Sequence, residues 1–331
     1  MRQNKVFKLN EIHSVEMKVM LVFCVVILAG ISLGCTKQSF EGTFEQITIS
    51  TSRDILNLPV WIAEEQGFFV DEGIVVTIKE ATSGKEAIET MLADEADIAI
   101  VAPAPIVLNS FIRNDFKIIS GVAYTHENIK LISYARTVAE LKGKKIGLTK
   151  GTTAQYYLDV CLTYYGQRSD SVELVDMKPA ELPAALEIKK VDAVVVWQPF
   201  THRAQQIKGT TNACNSLVYR TALSAVARDD TNQEAITRFL KAIDRASAFI
   251  NDDSQSREMA VKILRLDRQI IDDIWTHYTY GLYLDQTLLS TLENEALWAT
   301  KNNITQAVIP DYRQYMSDIL LQVKPDAVTM G

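Results

Sequence analysis

From residue 46 onward, short apolar runs alternate with stretches whose apolar positions recur every three or four residues. The first kind predicts buried strands and the second predicts amphipathic helices. Strands are expected at 46–50, 74–79, 96–101 and 117–123, then at 145–149, 171–176 and 193–197. Between the second and third, Ser83 and Glu86 have capping-box spacing ahead of an amphipathic run, so a helix should begin there. Helices are also expected at 153–165 and 183–189. From Thr231 the pattern turns helical, opened by a second box at Thr231 and Glu234 and continued over 256–266, 268–282 and 285–302. Alternating strands and helices are the signature of an α/β fold with a largely parallel sheet. The order is therefore one α/β series, a second α/β series and a helical tail.

The N-terminus has a different pattern. Val19 to Gly34 carry no charge, and the run ends in Ser32-Leu33-Gly34-Cys35. Sixteen residues fall short of the ~20 needed for a spanning helix but suit the apolar region of a secretory signal. The ending resembles a bacterial lipobox, with Ser32 and Leu33 in reversed order, and that resemblance makes Cys35 the lipidated first residue of the mature chain. Met17-Lys18 opens a compact positive-then-apolar leader, while Glu11 and Glu16 are unusual so near such a run. Translation from Met17 is the corresponding expectation. Residues 1–34 thus read as a signal peptide and 35–45 as a polar, lipid-anchored linker.

Composition narrows the function classes. Of 331 residues 47% are hydrophobic and 23% charged, with net charge −7, which describes a globular chain and not a disordered one. Residues 1–34 hold four basic and two acidic residues, so the exported part is −9. With no basic patch, nucleic acid is not an expected partner. Beyond Cys35 only Cys161 and Cys214 remain; they could pair in an oxidising compartment or stay as buried thiols.

Enzyme signatures are scarce. There is no H-E-x-x-H pair, C-x-x-C, Walker loop or G-x-G-x-x-G, and His126, His202 and His277 lie far apart. No cofactor and no metal site is implied. The informative positions are loops after strands, because open α/β sheets bind ligands at the carboxyl ends of their strands. Those loops hold Thr51 to Asn57, Ala102 to Pro105, Tyr124 to Glu127 and Lys150 to Ala154. The last opens a helix with Thr152 and Thr153, which either cap it or seat an anion on its free N–H groups.

Five segments in order carry a family resemblance. They are Pro59-Val60-Trp61-Ile62-Ala63-Glu64-Glu65-Gln66-Gly67-Phe68-Phe69 with Glu72-Gly73-Ile74; Ala96-Asp97-Ile98-Ala99; Leu141-Lys142-Gly143-Lys144-Lys145-Ile146-Gly147; Gly151-Thr152-Thr153; and Val191 to Pro199. Together they resemble substrate-binding proteins of the sulfonate, nitrate and taurine class of ABC importers, which also includes binders of thiamine-pyrimidine precursors. The resemblance spans roughly residues 46–300.

It implies a bilobal, type II periplasmic-binding-protein-like α/β fold, with 46–124 and 228–331 as lobe 1 and 125–227 as lobe 2. The lobes would be joined by crossings near 124–132 and 223–230. The implied ligand positions are Asp54, Asn57, Trp61, Ser83, Gly84, Ala104, Tyr124, Thr152, Thr153, Trp197 and Gln198. The implied partners are a small-molecule ligand, an ABC permease and ATPase complex, and a membrane reached through the lipid on Cys35. The protein would be an exported monomer, periplasmic or at the cell surface. Among the cleft candidates Arg53 is the nearest cation, and Asp54 and Glu127 oppose anions, so cationic, amino-bearing and anionic ligands all stay open. Some relatives on the fold are thiamine-pyrimidine synthases; their cysteine-rich signature is missing here, leaving an enzyme as the alternative.

Overall fold

A computed structural model describes residues 40–252 and 255–330. The expected signal peptide, Cys35 and most of the linker lie outside the described residues. From Glu41 onward the chain forms one compact unit.

The first apolar run becomes β1 (Glu45–Ser52), which pairs in parallel with all of β2 (Ile74–Ala81) and with β3 (Ile98–Val101). The connection between β1 and β2 contains α1 (Leu58–Glu65), whose Pro59 sits in the first turn, where a missing N–H costs nothing. Between β2 and β3 runs α2 (Gly84–Leu92), and α3 (Pro103–Ser110) follows β3. Next comes β4 (Phe116–Thr125), which leads into a second sheet made of β5 (Ile129–Ser133), β6 (Lys145–Leu148), β7 (Glu173–Asp176), β8 (Ala193–Trp197) and β9 (Thr211–Asn212), in the order β7-β6-β8-β5-β9. Helices α4 (Thr153–Tyr164), α5 (Leu182–Glu187) and α6 (Phe200–Gln205) cover it.

The continuous apolar reading of β8 has a direct cause. Ala193 and Val195 join a core with Leu131, Leu148 and Tyr157 on one face, while Val194 and Val196 join Ile132 and Leu186 on the other. A strand buried on both faces has no polar side to show. Cys161 of α4 is disulfide-bonded to Cys214 in the first of these cores, which decides the thiol question.

The chain then returns to the first sheet through β10 (Thr221–Arg228), antiparallel to both β3 and β4. The expected second boundary, at residue 227, therefore falls inside a strand, and the expected crossing at 223–230 overlaps that strand over 223–228. Its sequence, TALSAVAR, lacks alternation because it is sandwiched between two neighbours and nearly all buried. The segments that join the sheets are residues 126–128 and 213–220.

After β10 come α7 (Gln233–Asp252), α8 (Gln255–Leu264) and α9 (Arg268–Ile274). On α7, Ile236, Phe239, Leu240, Ile243 and Ile250 recur at helical spacing and enter the main core. Two local readings need correction. The cap of α7 is Asn232, whose Oδ1 accepts from Glu234 N, while Thr231 donates instead to Asp97 O. The helix expected over 268–282 ends at Ile274, and β11 (Tyr278–Asp285) follows, antiparallel to β4. Its alternately buried tyrosines and leucines fit a pleated surface better than a helix. Helix α10 (Gln286–Lys301) and the short β12 (Val328–Thr329) complete a seven-stranded sheet ordered β12-β11-β4-β10-β3-β1-β2. Among the described residues no helix is long and apolar enough to cross a membrane.

Candidate functional site

The carboxyl ends of β1 and β3 face the small sheet across a cavity of about 50 Å³. That is room for a few water-sized groups. Three helices begin at its wall. Gly84 and Lys85 open α2, Ala102 and Pro105 flank the start of α3, and Thr152 and Thr153 start α4. Leu56, Ile100, Ile129, Leu223 and Trp197 supply apolar wall.

Each helix start follows from local sequence. Ser83 is extended and its hydroxyl accepts from Glu86 N, but Glu86 turns its carboxylate to Thr82 and not back to Ser83, so only half of the expected box forms. With Glu86 N capped, the N–H groups of Gly84 and Lys85 have no acceptor within the helix. Gly84 is needed for close approach: a Cβ there would sit 3.3 Å from Ala102 N. Thr152 caps α4 by accepting from Ala154 N, and its hydroxyl donates to Thr149 O. Thr153 is buried behind it. Aligned helix N-termini carry partial positive charge, each contributing about 0.3–1 kcal/mol to a nearby anion and up to ~2 when partly buried.

The first loop is held by a dense polar network. Asp54 accepts from Leu56 N, Asn57 N, the Asn57 amide at 2.8 Å and the Ser52 hydroxyl at 2.7 Å. Burial pushes its carboxyl above the ordinary value, against those hydrogen bonds, which pull it down. Asn57 in turn accepts from Thr51 Oγ1 and donates to Ser52 Oγ. Asp54 therefore spends its acceptor capacity on its own loop.

The positions singled out from sequence separate into two groups. Asp54, Asn57, Gly84, Thr152, Thr153 and Trp197 line the cavity. The other five stand behind it. Trp61 donates its indole N–H to Ser52 O and lies under the Arg53 guanidinium, 3.7 Å from the ring centroid. Ser83 is a helix cap, and Ala104 is fully buried in α3. Tyr124 packs against Arg220 and Tyr283. Gln198 accepts from His202 N at the start of α6. Arg53 pairs with Glu80 and donates to Ile263 O, so the cation nearest in sequence is engaged elsewhere.

Four polar cavity residues were not picked out: Ser52, Lys85, Asn128 and Thr221. Lys85 stands in the same Ser83-Gly84-Lys85-Glu86 run and could have been found there. Its side-chain partner is Glu89, 4.0 Å away and exposed, a weak contact. Asn128, in the first joining segment, accepts from Gln198 N of one sheet layer and from the Tyr278 hydroxyl of the other. Thr221 begins β10, and its buried hydroxyl has no partner among the described residues. Nothing in the local sequence marks either position.

The cavity thus offers unspent donors: N–H groups at the starts of α2 and α4, the Thr221 hydroxyl and the Lys85 ammonium, whereas α3 opens on Pro103 and Pro105, which have no N–H to give. Its one carboxylate is already coordinated. Among the described residues no group of His, Cys, Asp and Glu could hold a metal ion. The model of the family described as NMT1/THI5 like matches residues 57–256.

The chain belongs to the NMT1/THI5-like family.

Among curated relatives, a Bacillus subtilis (strain 168) protein named for aliphatic sulfonates binding is 26% identical over 273 residues, covering 77% of this chain and 80% of its own. A Brucella abortus (strain 2308) protein named for binding is 27% identical over 216 residues, covering 62% and 67%. In structure the chain resembles the periplasmic aliphatic sulphonate binding protein SsuA from Escherichia coli, with TM-score 0.70, 19% identity and coverage of 83% of this chain and 98% of the other. It also resembles the alkanesulfonate-binding protein SsuA of Xanthomonas axonopodis pv. citri bound to MOPS, with TM-score 0.69, 16% identity and coverage of 87% and 99%. These likenesses establish the periplasmic binding protein fold.

Proposed function

We propose that this protein is the extracytoplasmic solute-binding component of an ABC importer. It captures a small anion of the sulfonate type between its two sheets, which act as two lobes. The observation that carries the reading is the meeting of the starts of α2 and α4, the Lys85 ammonium and the Thr221 hydroxyl, unpartnered among the described residues, on one cavity. Neutral donors and one lysine suit a singly charged, weakly basic oxyanion, and Trp197 and Leu56 suit a short apolar substituent. The names of the B. subtilis and SsuA relatives support the same ligand class.

In this reading Ser52, Lys85, Thr152, Thr153 and Thr221 contact the ligand, while Asp54 and Asn57 shape the loop beside it. Residues 126–128 and 213–220 form the hinge. Ligand shifts the population toward the closed arrangement, which a permease and ATPase complex recognises. The protein is exported, lipid-anchored through Cys35, and works as a monomer with no catalytic step.

The test is thermal unfolding and calorimetry of residues 36–331 against alkanesulfonates, taurine, nitrate, aminopyrimidines and polyamines. A ligand at 100 times its dissociation constant adds about 2.7 kcal/mol of stability. A saturable shift with sulfonates, and their recovery unchanged, is the expected result. Preference for polyamines would overturn the anion assignment, and turnover of a bound compound would establish an enzyme instead.

A further inference from the structure

A second and roomier cavity, of about 440 Å³, runs between α6 and the turn joining α8 to α9. Its walls come from different layers. Helix α6 packs on α5 and the five-stranded sheet, whereas α8 packs with α1 and α7 on the other, and α9 packs on α8. Both walls are tied to the cleft. The first residues of α6 are bonded to Gln198, next to Trp197, through His202 N. The last turn of α8 is bonded to the cleft loop through Arg53, which donates to Ile263 O at 3.1 Å.

Each wall presents an arginine. Arg203 comes from α6 and Arg265 from the turn, and neither makes an ion pair within 4.0 Å among the described residues. Arg203 lies over the Phe200 ring at 5.6 Å, an arrangement compatible with free N–H edges. Arg265 ends α8 with φ of 54°, a left-handed position more often given to glycine or asparagine. Gln269 adds an amide donor and Gln206 a second, though its amide nitrogen also lies 3.4 Å from His202 Nε2, and Leu266 and Ile270 give a buried apolar floor. The acid present is Asp267, at the N-cap position of α9, where its side chain makes no capping bond. Two guanidiniums, a histidine and two amides outweigh one carboxylate.

We propose that this groove is a second oxyanion subsite, bridging the two sheets, that takes a carboxylate, sulfonate or phosphate group. Guanidinium forks match such groups with paired hydrogen bonds. The group has two possible sources. It is the far end of an elongated dianion whose other end sits in the cleft, or it is a free inorganic anion bound on its own. The first source rests on the anion reading of the cleft; the second does not. Because Arg203 and Arg265 belong to opposite walls, an occupant would favour the closed arrangement and so raise the affinity of the cleft for its own ligand, reciprocally.

The test uses residues 36–331, wild type and Arg203→Gln/Arg265→Asn, with Arg203→Lys/Arg265→Lys as a second pair in case the first does not fold. Sulfate is titrated against sodium chloride at equal ionic strength, with the thermal midpoint as readout. Ethanesulfonate and a series of α,ω-alkanedisulfonates are titrated by calorimetry. The neutral variant should leave ethanesulfonate affinity unchanged. Loss of a saturable sulfate shift in the variant identifies a free-anion site. A rise of about tenfold in the dissociation constant of a disulfonate alone identifies the tail of a cleft ligand. If the neutral variant matches wild type for sulfate and every disulfonate, the subsite does not exist. If no sulfonate binds even the wild type, the cleft reading fails, and the sulfate arm still decides the groove.

Discussion

The Tyr219 hydroxyl donates a 2.9 Å hydrogen bond to Oε1 of Glu295, while Oε2 of the same carboxyl has no partner among the described residues. Glu295 has no solvent exposure, and burial pushes its carboxyl up to about 8. An acid raised in the folded state favours folding least at high pH. Below about pH 4.5 both states are protonated and no penalty exists. Between there and about pH 8 the unfolded chain ionises first, so stability falls as pH rises. At pH 7 the penalty is on the order of 3 kcal/mol. Glu295→Gln should therefore flatten the fall in unfolding free energy between pH 5 and 8, followed by urea denaturation at each pH. An unchanged slope would mean that Glu295 is ionised in the folded protein.

Thr221→Val separates binding from folding. The hydroxyl it removes has no partner among the described residues, and valine keeps the shape. Stability should change by less than about 1 kcal/mol or rise. Affinity for the cleft anion should fall about tenfold, because hydrogen bonds to charged groups contribute about 1.5–3 kcal/mol. Calorimetry and denaturant unfolding on the same preparation check both halves.

Gly84→Ala should do the reverse and damage both. The added methyl would crowd Ala102 N at 3.3 Å, forcing the starts of α2 and α3 apart. The N–H groups at the start of α2 are among those proposed to meet the ligand. A loss of about 1–3 kcal/mol in stability is expected, with weaker ligand binding. Wild-type affinity in this variant would show that the spacing of the two helix starts is not important.

Reduction provides the fourth check. Cys161 and Cys214 are 53 residues apart in sequence, and a cross-link of that span restricts the unfolded chain by about 4 kcal/mol at the entropic limit. Dithiothreitol, or Cys161→Ser, should lower the free energy of unfolding by about 2–4 kcal/mol. Denaturation with and without reductant measures it. No difference would mean the thiols are unpaired in the purified protein.

What could be read in advance follows the range of the interactions involved. Strands such as β1 and β8 announce themselves because their burial is written into consecutive side chains. So do the helix starts at Ser83 and Thr152, where cap and capped N–H are near neighbours in the chain. By contrast β11 sits in a helical neighbourhood, where the short two-residue alternation of Tyr278, Tyr280, Leu282 and Leu284 is outweighed by its flanks, and its partner β4 lies more than 150 residues earlier. Asn128 and Thr221 share that fate. Asn128 matters because Gln198 and Tyr278 meet on it, and Thr221 because β10 returns between β3 and β4. Local composition holds no trace of either encounter.

Thr125 and Thr221 are register partners in the β4–β10 ladder. The two chain segments that join the sheets therefore leave from the same rung, side by side, as a single strip. A strip bends readily across its width and resists both twisting and sliding of one edge past the other. In the proposed function, closure of the sheets is expected to run about this strip, so that binding energy at the cleft goes chiefly into a single bending coordinate.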